Sequence, residues 1–158
     1  MKSFLRGFCL ILVTAFFISG CWSEDSNPDG FFMRAKIDGE LFEVKGELFC
    51  TYVDMVSFNI QSTKINGIEG ITLTIFPSDI RLQNYIMQQT DEVIVAGQYF
   101  KDDASYATIH NPNGRITITA YDPNKKIVEG TFEFVGKDLY SNATKNITEG
   151  KFRCRGLN

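Results

Sequence analysis

The chain has 158 residues, 44% of them hydrophobic, with 16 basic residues, 19 acidic residues and one histidine, for a formal charge of −3. That length suits a single domain with a sizeable core. The acidic balance, with no basic run, argues against a nucleic-acid partner.

Residues 1–20 read as an export signal. Lys2 and Arg6 give a positive start, and Phe8 to Ile18 form an apolar core shorter than the roughly 20 residues a bilayer span needs. The core ends in Ile18-Ser19-Gly20-Cys21. This tetrapeptide resembles the lipobox of bacterial lipoproteins, an aliphatic residue and two small ones before a cysteine. The resemblance implies cleavage before Cys21 and a diacylglycerol on its thiol. Several fatty acyl chains such as palmitate, each worth ~0.8 kcal/mol per buried methylene, would give a stable membrane anchor. The alternative is an ordinary secretory signal with an unrelated cysteine at its end.

Trp22-Ser23-Glu24-Asp25 follows. It resembles the short acidic export motif of Bacteroidota lipoproteins, which implies display on the outer face of the outer membrane. A periplasm-facing anchor with a solvated acidic tether is the second choice. Trp22 suits the membrane interface. Without residues 1–20 the chain keeps 14 basic and 19 acidic residues, a net charge of −5. Residues 21–30, with Asn27-Pro28-Asp29-Gly30, form a flexible tether, and residues 31–158 form one β domain.

In that domain strand follows strand. Phe31 to Ile37 and Glu40 to Lys45 flank Asp38-Gly39, a strong hairpin signal because both turn residues tolerate positive φ. Leu48 to Val53, Val56 to Gln61 and Ile71 to Ile75 come next, the last ended by Pro77. Residues 78–92 are ambiguous. Leu82, Tyr85, Ile86 and Gln89 have helical spacing, and a strand or loop fits nearly as well. Val93 to Phe100 is extended, with Gly97 a candidate bulge. Ser105 to Ile109, Ile116 to Ala120, Ile127 to Val135 and Lys151 to Arg155 complete the set. About nine or ten short strands with short connections imply an all-β antiparallel meander, as a β-sandwich or flattened barrel. Phe58, Ile71, Leu73, Ile75, Ile116, Ile118, Phe132, Phe134 and Phe152 are its expected core.

Of the four cysteines, Cys9 leaves with the signal and Cys21 takes lipid. Cys50 and Cys154 remain. A disulfide between them is permitted outside the cytoplasm, and two buried free thiols are the alternative. No CxxC exists, so a redox or zinc-ribbon role has no support.

Ala35-Lys-Ile37-Asp38-Gly39-Glu-Leu-Phe42, Gly97-Gln-Tyr99, Gly130-Thr-Phe132-Glu-Phe134 and Ile147-Thr-Glu-Gly150-Lys-Phe152 together resemble an uncharacterised lipoprotein family common in Bacteroidota, a domain of unknown function. The resemblance covers nearly all of the mature chain. It implies exported β architecture and carries over no catalytic residues.

Residues that could do chemistry are sparse. His110, the sole histidine, is read as a surface turn residue beside an Asn-Pro-Asn-Gly turn, with neither metal partners nor a triad around it. Asp25 to Gly30 imitates the head of an EF-hand loop, but its twelfth position is Lys36 where glutamate is needed. Asp91-Glu92 and Asp102-Asp103 are read as solvated loop charge, since neighbours on a strand point opposite ways. The sequons at Asn142 and Asn146 are read as a polar hairpin connection. Tyr52, Tyr85, Tyr99, Tyr106, Tyr121 and Tyr140 are candidates for a glycan platform, although most aromatics of a β domain belong to its core.

No catalytic set, metal site or cofactor is expected. The leading reading is a non-enzymatic binding or accessory module at the cell surface, taking a protein, a glycan or a small ligand. The others are a calycin-like carrier of a small apolar ligand and, last, a hydrolase built on carboxylates.

Overall fold

The computed structural model describes residues 30–46, 48–53, 57–78, 80–109 and 111–157. The proposed signal, Cys21, Trp22 and His110 lie outside the described residues. Twelve strands form: β1 (Phe32–Ile37), β2 (Glu40–Lys45), β3 (Phe49–Val53), β4 (Ser57–Thr63), β5 (Glu69–Phe76), β6 (Asn84–Ile86), β7 (Gln88–Gln89), β8 (Ile94–Lys101), β9 (Ala104–Ala107), β10 (Gly114–Asp122), β11 (Ile127–Asp138) and β12 (Thr144–Leu157). Among the described residues there is no helix, and none long and apolar enough to cross a membrane.

Period-two alternation decides which face each strand buries. Met33, Ala35 and Ile37 of β1 point inward, and Val128, Phe132 and Phe134 of β11 do the same. All nine expected core residues are buried in a single cluster. The Asp38-Gly39 hairpin forms, with φ of 49° and 90° at its two turn residues and Ile37 paired to Glu40, as a type I′ turn requires.

Most neighbours in the sheet are consecutive and antiparallel, but the sheet is mixed. β3 runs parallel to β12, and the first strand pairs the last. The reason is the length of β12. One of its edges is taken by β11 along nearly its whole course. The other edge is longer than β1 can cover, so β1 takes Ile147 to Arg153 and β3 takes Arg155 to Leu157. β11 is shared in the same way, by β10 and then by β9. The pairings β12–β3–β4–β5–β8–β9–β11–β12 therefore form a closed ring. Cys50 and Cys154, both fully buried, form a disulfide where β3 meets β12, with Cα atoms 5.7 Å apart.

One open reading is resolved and two sequence expectations change. The described residues of 78–92 form no helix and include β6 and β7. The backbone N–H of Met87 donates to Gly114, that of Ile118 donates to Gln83, and β7 pairs with β8, so the neighbouring strands use this segment's polar groups. Leu82 and Ile86, which helical spacing would place on an apolar face, are exposed. Gly97 is not a bulge, since its pairing to Leu73 is in continuous register. Its missing Cβ makes room for Phe134, whose ring would lie 2.7 Å from that atom. Finally, β12 begins well before Lys151. An irregularity at Thr148 and Glu149 (φ 53°) shifts the inward positions from Ile147 to Gly150 and Phe152. That shift hides the strand from any reading that seeks unbroken alternation.

The registers also give the domain two ends. Turns 38–39, 64–68, 102–103 and 139–143 gather at one, as the pairs Ile37–Ile147, Thr63–Gly70, Glu69–Lys101 and Asp138–Tyr106 show. The chain enters at the other end, where Phe32 pairs with Arg153, and it leaves there beside β3.

Candidate functional site

A cleft of about 400 Å³ opens at the end where the four turns gather. Two linked sets of side chains build it. The first begins at the Asp38 turn, whose carboxylate accepts a bond from Lys145 Nζ at 2.8 Å and another from the backbone N–H of Asn146 at 2.9 Å. The Lys145 bond first, and the Asn146 bond second, hold this carboxyl below the usual aspartate range. Asp38 in turn raises Lys145. The Lys145 ammonium lies 6.0 Å from the centre of the Tyr106 ring, within the reach of a cation–π contact.

The second set centres on Glu69. Tyr99 donates its hydroxyl to Oε1 at 2.8 Å, and Lys64 forms an ion pair with Oε2. Lys64 also lies 5.2 Å above the ring of Phe42 on β2, so one cation ties the β4–β5 turn to the first hairpin. Burial pushes the Glu69 carboxyl up, but the bonds from Lys64 and Tyr99 outweigh it and leave the group below its ordinary range. Burial first, and then the bond to Glu69, push the Tyr99 phenol well above its ordinary value. Tyr99 and Tyr106, paired across β8 and β9, join the two sets with ring centres 6.0 Å apart.

Exposed Glu40, Lys101 and Asp102 also line it, with Ile37, Leu41 and Ala104. Positive and negative groups thus share a partly aromatic cleft, with Asp38, Lys145, Glu69 and Lys64 held in ion pairs. Such a site can give hydrogen bonds to, and accept them from, a polar ligand while holding its own geometry. Acid catalysis by a carboxyl group needs that group protonated near neutral pH. Asp38 and Glu69 are both shifted the other way. Among the described residues no three His, Cys, Asp or Glu side chains gather as metal ligands do. A second cleft, of about 620 Å³, lies between the end of β5 and residues 81–88 and is lined by Pro77, Gln83, Asn84, Ile86, Gln88 and Val93 among others. Arg81 is its one charged lining residue, and it has none of the ion pairs that build the first.

The residues singled out from sequence are scattered. Tyr99 is buried, Tyr106 half-buried under Lys145, and Tyr85 pinned to the Arg81 backbone. Tyr121 and Tyr140 are exposed but sit at opposite ends, and the Tyr52 side chain lies outside the described residues. They do not form one platform. Asp91 and Glu92 stand in a turn that Thr90 closes by accepting the N–H groups of Glu92 and Val93. Asp102 (φ 53°) and Asp103 form the β8–β9 turn, and Asp102 reaches the cleft. Asn142 occupies the β11–β12 turn as expected, and Asn146 contributes its backbone to the Asp38 set.

The sequence reading missed Lys64, Glu69, Lys145 and Asp38. Lys64 and Glu69 could have been found, being opposite charges on either side of the Asn66-Gly67 turn. No local signal links Asp38 to Lys145, 107 residues away.

Residues 30–154 match one protein family, described as a domain of unknown function (DUF6252). No curated protein and no solved structure matches the chain.

Proposed function

Because the chain belongs to the DUF6252 family, whose description names no activity, its role has to be read from its own geometry, and we propose an exported lipoprotein, anchored through Cys21, that acts as a non-enzymatic binding module at the cell surface. One observation carries this reading. The chain enters the domain at the end opposite the cleft, so an anchor at Cys21 leaves the cleft pointing away from the membrane. β11 runs between the two ends and is about 35 Å long at ~3.3 Å per residue. The ligand class that fits is small and polar, with both donors and acceptors, as in an oligosaccharide or a short peptide.

The packed interior favours this reading over a carrier of an apolar ligand. Phe58, Ile60, Leu73, Ile116 and Phe152 fill the space between the strands, and the Phe134 ring closes on the backbone of Gly97. The lowered carboxyls disfavour the hydrolase. Outer-membrane display rests on the acidic residues behind Cys21.

Two measurements test the proposal. Cys21→Ser should move the protein from the membrane fraction to the soluble fraction once membranes are washed at high salt, which removes charge-based binding; a cleaved variant that stays with salt-washed membranes contradicts the anchor. The wild-type protein should bind members of an array of neutral and acidic oligosaccharides, and a Lys101→Met/Asp102→Asn variant should lose that binding. Equal binding by both proteins would place the ligand elsewhere.

A further inference from the structure

The mature chain is acidic, yet its cations are unevenly placed. Alternation sends Arg34 of β1, Lys45 of β2 and Lys151, Arg153 and Arg155 of β12 to the outer face of the sheet, near where the chain enters. Glu43 and Glu129 face them there, in ion pairs with Lys45 and Arg153 respectively, and Glu133 and Glu149 lie farther along β11 and β12 toward the other end, paired with Arg115 and Lys36. Lys125 and Lys126 stand exposed on the adjoining β10–β11 turn, whose Asp122 is occupied in accepting the N–H groups of Asn124 and Lys125. Phe31 and Phe32, the first two residues after the tether, lie beneath Arg155 at 5.0 Å and Arg34 at 5.6 Å.

We propose that this face docks on the anionic headgroups of the membrane that holds the anchor. The inference rests on the lipid attachment at Cys21 proposed above. Two observations commit it to that occupant. The first is charge: a cationic face on a net acidic protein suits an anionic surface, which attracts basic residues lying close to it. The second is reach. Nine residues, 22–30, separate Cys21 from Phe31. They span ~30 Å when fully extended and ~17 Å as a flexible coil, so the acyl chains keep this face within one domain's width of the headgroups. Aromatic rings beneath arginines at the point of entry suit the interface between headgroups and chains. The cleft lies at the far end of these same strands, away from the point where the tether joins.

The test uses residues 21–158, the mature chain without its signal, carrying Cys21→Ser, so that neither lipid nor the apolar leader contributes. Sedimentation is measured with vesicles of phosphatidylcholine alone and of phosphatidylcholine with phosphatidylglycerol. The protein should bind the anionic vesicles, weakly and less at higher salt, and should not bind the neutral ones. Lys151→Glu/Arg155→Glu, at two exposed positions, should weaken that binding by about thirtyfold or more, at about one-fifth of the affinity per lost cation. Glu43→Lys should strengthen it. Equal binding to both vesicle types, or anionic binding indifferent to these changes, overturns the proposal. Binding to soluble polygalacturonate with none to vesicles overturns it in favour of an acidic glycan. Mass spectrometry of the wild-type chain separates the two failures. An unmodified Cys21 removes the anchor whatever the vesicles show, and an acylated Cys21 with no vesicle binding by the variant removes only the docking face.

Discussion

At the end where the chain enters, the β3–β12 corner is held by a buried disulfide and a shared backbone edge. At the other end, the turns are held by Lys64 on Glu69 and Phe42, and by Lys145 on Asp38 and Tyr106. The first arrangement is covalent and dry. The second uses charged groups that stay partly wet, and such pairs contribute little stability when solvent screens them. The difference teaches a division of labour. Stability is concentrated where β1 begins and β3 meets β12, while polar groups with defined directions are held at the open cleft.

That contrast can be broken by mutation. The largest effect should come from Cys50→Ala/Cys154→Ala. The bridge joins residues 104 apart, and its removal should cost about 4 kcal/mol in urea unfolding; a cost below that of any cleft variant would reverse the comparison. Gly130→Ala should follow, at about 2–3 kcal/mol, because its Cβ would lie 2.4 Å from the Thr117 carbonyl oxygen and 2.5 Å from the Phe152 ring. A crystal structure of that variant should show β10 or Phe152 displaced.

Glu69→Gln sharpens the comparison from the other end. Its side chain is 12% exposed, and the change should cost about 1–2 kcal/mol. The Tyr99 phenol should then ionise at lower pH, read by ultraviolet absorbance, with burial alone still keeping it above its ordinary value. The sign with pH is fixed. Because the folded Glu69 carboxyl lies below its ordinary 4.5, its contribution is complete above that pH and lost as pH falls through the folded value. The stability gap between wild type and Glu69→Gln should therefore shrink on acidification below 4.5. The smallest effect belongs to Tyr140→Ala. That ring is 96% exposed at a turn tip, and stability should stay within about 0.5 kcal/mol.

How much of this was legible depends on the range of each interaction. Ile71-Thr-Leu73-Thr-Ile75 and Ile116-Thr-Ile118 announce their buried faces within five residues, and Asp38-Gly39 announces its turn within two. Both signals are local, and both are present in the structure. β12 was shortened because Glu149 breaks the alternation it was recognised by. β6 and β7 were obscured because three-residue and two-residue strands carry no period of their own. The cleft was the least legible part. The sequence offers Tyr99 and Tyr106 as glycan-platform candidates, but Asp38 meets Lys145 only after the first and last strands pair. Glu69 has its meaning only once Tyr99, thirty residues away, reaches it.

The orientation of the two ends is the claim on which the account rests, and one measurement addresses it directly. The acylated chain is reconstituted in vesicles containing a headgroup-nitroxide lipid. A fluorophore is attached through Lys125→Cys at the entry end in one sample and through Tyr140→Cys at the turn end in another. The account predicts strong quenching of the Lys125 probe and little quenching of the Tyr140 probe. Equal quenching, or the reverse order, would contradict it.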